Sequence, residues 1–179
     1  MSYFNTATTY GVVAKFFHWL IALLVIVMLC VGFTLDSIPK ESRGFVINIH
    51  KLTGLTILLL VLLRLGWSLI NTKPMLIVTV WEKLAERTVH GLLYAALIAM
   101  PLLGWVGSSA GGRFPHIGSV QFALPVPQDK ALKDWAFEWH GIIGWTIVVL
   151  VCIHVLAALY HHFIRRDDVL RRMLPKGWV

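Results

Sequence analysis

The sequence is poor in charge and almost free of cysteine. Only 14% of its 179 residues are charged and 58% are hydrophobic, a balance too apolar for a soluble domain. Cys30 and Cys152 stand alone within apolar stretches, so they predict neither a disulfide framework nor a zinc site. No small-residue cleavage site follows Leu35, and we therefore expect the first apolar stretch to remain in the mature protein.

Long hydrophobic runs account for most of the chain. Four stretches, at about 13–35, 45–70, 88–107 and 136–164, are each long enough to cross a hydrocarbon core of about 30 Å. Backbone groups find no water there, so each stretch is predicted to be a helix. The short connections favour an all-α, integral membrane, antiparallel four-helix bundle, which we expect to form one domain over residues 1–179.

Positive charge is distributed unevenly between the two sides of this predicted bundle. One side carries ten cationic residues: Lys15, Arg64, Lys73, Lys83, Arg87, Arg165, Arg166, Arg171, Arg172 and Lys176. The other carries six: Lys40, Arg43, Lys51, Arg113, Lys130 and Lys133. The positive-inside rule predicts that both termini lie in the cytoplasm. The net charge of +7 then indicates contact with anionic lipid headgroups rather than with nucleic acid.

Four histidines lie inside the predicted spans. His140 and His154 are fourteen residues apart, an advance of about 21 Å that leaves both on nearly the same helix face. Ionisable groups in hydrocarbon usually face a bundle interior, and imidazole is a common axial ligand of haem iron. Matching depths pair His50 with His140 on the periplasmic side, and His18 with His154 on the cytoplasmic side. Because the chain has no C-x-x-C-H motif, these pairs predict two non-covalent b-type haems.

A small residue follows each of these histidines by four positions. The four small residues are Ala22, Gly54, Gly144 and Ala158. Position i+4 lies on the same helix face, where a flat porphyrin needs little side-chain bulk beside it. The alternative is that the histidines only form hydrogen bonds between helices, which predicts a colourless protein.

Other polar residues fall at the predicted cytoplasmic ends of the spans. His90 opens the third span one turn after Arg87, and it suits either a ligand pocket or a hydrogen bond within the bundle. His161 and His162, near Arg165, suit haem propionates, a quinone headgroup or proton uptake, or else a solvated, lipid-facing cationic end. These groups are candidates for quinone or propionate contacts.

Two further features have alternative interpretations. Arg64 is flanked by leucines within the second span, and we expect its guanidinium to snorkel towards the cytoplasmic headgroups. The alternative is a contact with a haem propionate or a quinone. The connection from Ala110 to Lys133 is the longest exposed loop, and it is either a cover over the periplasmic haem or an ordinary tether.

Several segments resemble a known family. They are KFFHWL around His18, NIHKLTGLTILLLVLLRLGW from Asn48, VHGLLYAALIAMPLLGW from Val89 and WHGIIGWTIVVLVCIHVLAALYHHFIRRDDVLRRMLP from Trp139. In these segments nearly the whole chain resembles bacterial cytochrome b561, in the group that includes the b-type subunits of nickel-iron hydrogenases. The resemblance implies an inner-membrane protein with two b haems, whose axial ligands carry over to His18, His50, His140 and His154.

The resemblance implies two functions. Short members of the group include superoxide oxidases, which pass an electron from periplasmic superoxide through two haems to ubiquinone, and this oxidoreductase activity is the leading hypothesis. The alternative is an electron-relay and membrane-anchor subunit for a dehydrogenase or hydrogenase partner. Superoxide is an anion, drawn to positive potential. The six periplasmic cations are offset by Asp36, Glu41, Asp129, Asp134 and Glu138, so steering requires a local cluster of positive charge.

Overall fold

A computed structural model describes residues 2–75 and 79–174, so Lys176 lies outside the described residues. Four long helices dominate this part of the chain: α1 (Val12–Thr34), α2 (Lys40–Ile70), α3 (Val80–Ala110) and α4 (Lys130–Tyr160). Each is long and apolar enough to cross a membrane, which confirms the predicted fold class. A short hairpin, β1 (His116–Ile117) and β2 (Val120–Gln121), lies in the loop between α3 and α4.

Three helices begin several residues before the apolar stretches that predicted them. The Thr79 hydroxyl and the Glu82 carboxylate cap the start of α3 reciprocally, and the Asp129 carboxylate accepts a hydrogen bond from the Leu132 N–H at the start of α4. Such caps let a helix begin in water and continue into hydrocarbon. The predicted starts at about 45, 88 and 136 were therefore too late, because hydropathy marks the hydrocarbon boundary and not the helix boundary.

The last helix ends in an unusual turn. After Tyr160 the backbone forms one π-helical turn over His161–Arg165, and Arg166 then adopts a φ of 55° that stops the helix. A π turn widens the helix and is frequent at functional sites. Here it turns the chain back towards the bundle, so that Leu174 reaches α1, where its carbonyl accepts a 2.6 Å hydrogen bond from Lys15 Nζ.

The two ends of the bundle are closed by different segments. At one end the N-terminal segment meets the α2–α3 connection, where the Met75 N–H donates to the Ala7 carbonyl at 2.9 Å. We call this the terminal end. At the other end the α3–α4 loop lies against α2, where Asn48 Nδ2 donates to the His116 carbonyl at 2.9 Å. We call this the loop end.

The buried core lies between these two ends. Its residues come from three helices: Ile21, Val25, Ile57, Val61 and Ile147. Ile147 is fully buried and stands seven residues from both His140 and His154, on nearly the same face of α4. The core therefore separates one level of histidines from the other.

Candidate functional site

The first histidine pair lies at the loop end. The ring centroids of His50 on α2 and His140 on α4 are 6.3 Å apart. His140 Nδ1 lies 2.9 Å from the carbonyl oxygen of Met100 on α3, and a carbonyl only accepts, so Nδ1 carries the proton. The other ring nitrogen of His140, Nε2, therefore keeps its lone pair, as metal ligation requires.

A cavity of about 470 Å³ contains this pair. Its wall is mainly apolar, as cofactor pockets are, and Gly54 lies in it as the small-residue pattern predicts. Gly144 does not line the cavity. The Met100 side chain lies beside it instead, 3.5 Å from where a Cβ on Gly144 would be. Arg113 and Pro115 of the α3–α4 loop contribute to the wall, so this loop covers the cavity.

The mouth of the cavity is cationic. Lys51, Arg113 and Lys133 line it, and no carboxylate stands among its described lining residues. A smaller pocket of about 370 Å³ adjoins it through Lys51 and Arg113 and also includes His116. The loop end therefore has the local cluster of positive charge that attraction of superoxide would require.

The second pair lies at the terminal end. The ring centroids of His18 on α1 and His154 on α4 are 6.1 Å apart. Arg64 Nη2 lies 3.2 Å from His18 Nδ1, with its guanidinium carbon 5.6 Å from the centroid of the Tyr94 ring. The snorkelling prediction for Arg64 was therefore wrong, because the charged group turns into the bundle. A guanidinium only donates, so His18 Nδ1 accepts, and in the neutral ring the proton is then on Nε2. Nε2 can bind a metal only when the proton is on Nδ1 instead, so the hydrogen bond from Arg64 to Nδ1 must first be broken.

His90 is closer to this pair than the sequence indicated. Because α3 begins at Val80, His90 lies well inside the helix, and its ring centroid is 5.2 Å from that of His154. Its Nδ1 lies 2.9 Å from the Glu86 carbonyl oxygen and 3.2 Å from the Glu86 carboxylate. Arg87 is exposed on the same helix.

The histidines after α4 do not form a lipid-facing cationic end. His161 Nδ1 lies 2.6 Å from Asp167 Oδ2, and Nδ1 of His162 is buried without a partner among the described residues. Burial of Asp167 opposes its ionisation, but hydrogen bonds from His161 and from the Val169 N–H lower its pKa below the usual value. Arg165 forms a 3.2 Å ion pair with Glu82, which ties the end of α4 to the start of α3.

Several contacts at the loop end escaped the sequence analysis. Asn48 and His116 exchange two hydrogen bonds, from the amide Nδ2 to the backbone carbonyl and from the backbone N–H to Oδ1. Lys51 Nζ donates to the Arg113 carbonyl at 2.6 Å. Asn48 and Lys51 flank His50 on α2, and these two polar residues beside a membrane histidine were the only available signal. Gly104, which packs on His140, gave no signal because it does not stand four positions after a histidine of its own helix.

Both pairs have the spacing of two imidazoles on one iron. An imidazole nitrogen binds a first-row metal at about 2 Å, which places the centroids of two opposed rings about 6 Å apart. The observed 6.1 and 6.3 Å agree with this value. Among the described residues no group of three or more His, Cys, Asp or Glu side chains is arranged to hold a metal ion. At the loop end, where the paired imidazoles line an apolar cavity, the residues present fit a haem.

Comparison with known proteins finds a matching family model and several relatives. The family model for prokaryotic cytochrome b561 matches residues 9–176. Cytochrome b561 homolog 2 of Escherichia coli K12 is 32% identical, over 99% of this chain and 97% of its own length. Cytochrome b561 homolog 1 of the same strain is 27% identical, over 90% and 94%. A protein of Yersinia pestis named probable superoxide oxidase CybB is also 27% identical, over 89% and 92%.

Proposed function

Because the chain belongs to the prokaryotic cytochrome b561 family, whose members bind b-type haem and transfer electrons in the bacterial inner membrane, we propose that it carries two haems. The loop-end haem is held by His50 and His140, and the terminal-end haem by His18 and His154. Both termini lie in the cytoplasm, as the positive-inside rule indicates, so the loop end faces the periplasm. Residues 1–179 act as one domain that takes electrons from superoxide at the periplasmic face and delivers them to ubiquinone.

The observation that carries this proposal is the spacing of the two histidine pairs. Each pair joins α4 to another helix, and each has the centroid distance that one iron between two imidazoles requires. The pairs occupy opposite ends of the bundle, about 21 Å apart along α4. Two redox centres at these levels supply a route for electrons through the hydrocarbon region.

The cationic mouth of the loop-end cavity supports superoxide as the electron donor. Superoxide carries one negative charge, and a cleft of one sign of charge raises the local concentration of an opposite ion. Lys51, Arg113 and Lys133 line the same cavity as His50 and His140 and can act as such a cleft. The Yersinia relative named a probable superoxide oxidase adds a precedent at 27% identity.

The residues of the chain have separate tasks in this reaction. Haem supplies the one-electron chemistry, and the protein supplies binding, orientation and exclusion of water. The four histidines ligate, the apolar wall keeps the loop-end site dry, and the cationic mouth attracts the donor. Two superoxide ions give two electrons and leave as two dioxygen molecules, while ubiquinone takes those electrons and two protons to become ubiquinol.

We place the quinone or haem-propionate contacts at the terminal end. The candidate residues are Arg64, Arg87, His90, His161, His162 and Arg165. His90 has the strongest geometric support, because its ring packs on that of His154. Arg64 lies against His18 and has a fixed positive charge that suits either a carboxylate or a quinone oxygen.

Haem stoichiometry and single-histidine variants test the ligand assignment. We expect two haems b per polypeptide in the purified protein. His50→Ala and His140→Ala should each remove the same haem and leave the other spectrally intact, whereas His18→Ala should remove the second. If His50→Ala and His140→Ala removed different haems, the pairing would be wrong.

Rapid mixing with superoxide tests the activity. We expect superoxide to reduce the haems of the oxidised protein, and added ubiquinone to reoxidise them. The control is the same mixing experiment with superoxide dismutase added, in which the haems should stay oxidised. A protein that contains two haems but remains oxidised in superoxide would instead act as an electron relay for a protein partner.

A further inference from the structure

Helix α3 supplies no histidine to either pair, yet two of its residues lie against His140. The carbonyl oxygen of Met100 lies 2.9 Å from His140 Nδ1. One turn later, a Cβ added to Gly104 would lie 3.1 Å from both Nδ1 and Cε1 of the same ring. Carbon atoms normally approach no closer than about 3.5 Å. The imidazole therefore fills the space that a side chain at position 104 would need.

The two contacts belong to one surface of α3. Met100 and Gly104 are four residues apart, so they lie on the same helix face. A carbonyl has two lone pairs, and one can accept from outside the helix while the other keeps the helical hydrogen bond. Because Gly104 has no side chain, the ring of His140 can lie flat enough against α3 to reach the Met100 carbonyl.

His50 lacks an equivalent contact. Its Nδ1 is buried without a hydrogen-bond partner among the described residues. A Cβ added to Gly32 would lie 3.5 Å from the His50 ring, which is an ordinary contact distance. The two members of the loop-end pair are therefore held differently, His140 by the backbone of α3 and His50 by packing.

We propose that Gly104 is a positioning residue for His140, acting through the hydrogen bond to the Met100 carbonyl. The bond fixes the ring orientation and keeps the proton on Nδ1, so that Nε2 faces the cavity. This inference rests on the proposed ligation of the loop-end haem by His140. A ligand imidazole hydrogen-bonded in this way is more basic and stabilises the oxidised iron.

The variant Gly104→Ala tests the inference. The added methyl group should push the ring away from the Met100 carbonyl and lengthen the hydrogen bond. We expect loop-end haem to dissociate about 10-fold faster, as for other changes beside a metal ligand, and its midpoint potential to rise. The terminal-end haem should keep its potential, which also shows that the bundle is intact. The matched control is Gly91→Ala on the same helix, where an added Cβ meets nothing within 4 Å.

The outcomes separate this inference from the proposed ligation. If Gly104→Ala left the potential and dissociation rate of both haems unchanged while His140→Ala removed one haem, Gly104 would have no positioning role and the ligation would stand. If His140→Ala kept both haems, the ligation itself would fail. A Gly91→Ala protein that changed as much as Gly104→Ala would show that any methyl group in α3 has the effect, and would also overturn the inference.

A second measurement leaves α3 unaltered. In the His18→Ala protein, which should hold the loop-end haem alone, pulsed electron paramagnetic resonance reports the remote nitrogen of each axial imidazole. We expect two unequal couplings, one from a strongly hydrogen-bonded Nδ1 and one from an unbonded Nδ1. Gly104→Ala in this background should make them more alike. Two equal couplings before the substitution would contradict the inference.

Discussion

Replacing Arg113 by glutamine should slow the reaction with superoxide without disturbing the fold. The Arg113 side chain is exposed and lines both loop-end pockets, whereas its structural contact with Lys51 is made by its backbone carbonyl. The substitution therefore removes one positive charge from the cavity mouth and keeps the hydrogen bond that holds the loop.

The expected magnitude follows from Coulomb's law. A unit charge about 7 Å from an anion contributes about 0.6 kcal/mol at the dielectric constant of water, which is about a threefold change in rate. A lower effective dielectric near the protein surface enlarges this effect, so threefold is a lower estimate at low salt. At physiological salt the screening length is about 8 Å, and we expect less than a twofold effect.

The assay is the second-order rate of haem reduction by superoxide, generated by pulse radiolysis, at ionic strengths from about 10 mM to 0.5 M. The matched control is Lys40→Gln, which removes the same charge from the same end of the bundle but lies outside both pockets. Equal slowing in the two variants, or a rate independent of salt, would refute local steering. Loss of the loop-end haem in Arg113→Gln would show that this arginine binds haem instead.

Three further predictions concern the cavity and the two ends of the bundle. Gly54→Leu should fill the loop-end cavity and reduce the haem content to about one per polypeptide, whereas Gly66→Leu, at a position with no neighbour within 4 Å of an added Cβ, should keep two. Asn48→Ala should remove two hydrogen bonds worth about 1–2 kcal/mol together and speed amide hydrogen exchange at His116 about 10-fold, while unchanged exchange would show that the loop is held elsewhere. Asp167→Asn should lower the free energy of unfolding at neutral pH by about 1 kcal/mol or less, because the pKa of Asp167 is depressed in the folded protein. The wild-type protein should therefore be the more stable one above about pH 4 and lose this advantage as the pH falls further. Thermal melts of the two proteins that differ equally at pH 7 and pH 3 would contradict this.

The fold and the histidine pairs could be predicted from the sequence because they depend on the length of a helix and on the spacing of residues along it. Hydrophobic length predicts a span, and a spacing of fourteen residues places two side chains on nearly one face. Depth then matches histidines across helices without knowledge of the packing. The structure places His50 beside His140 and His18 beside His154, as that argument predicted, although their ligation of haem stays a prediction.

Contacts that depend on how two helices slide past each other could not be predicted in this way. Gly104 touches His140 only because α3 and α4 adopt one particular register, and hydropathy is insensitive to that register. Arg64 was misjudged for a related reason. Its place among leucines within a span favoured snorkelling, but the acceptor nitrogen of His18 and the ring face of Tyr94 lie within reach inside the bundle.

The different surroundings of the two pairs agree with a one-way transfer of electrons. At the loop end three cationic side chains, Lys51, Arg113 and Lys133, line the cavity and attract an anionic donor. At the terminal end, Glu86, His90 and the hydrogen-bonded His161 and Asp167 can exchange protons, and quinone reduction consumes two of them. A relay that only passed electrons between protein partners would need neither the cationic mouth nor the proton-exchanging groups. Their placement at opposite ends therefore favours superoxide oxidation coupled to quinone reduction over the relay function.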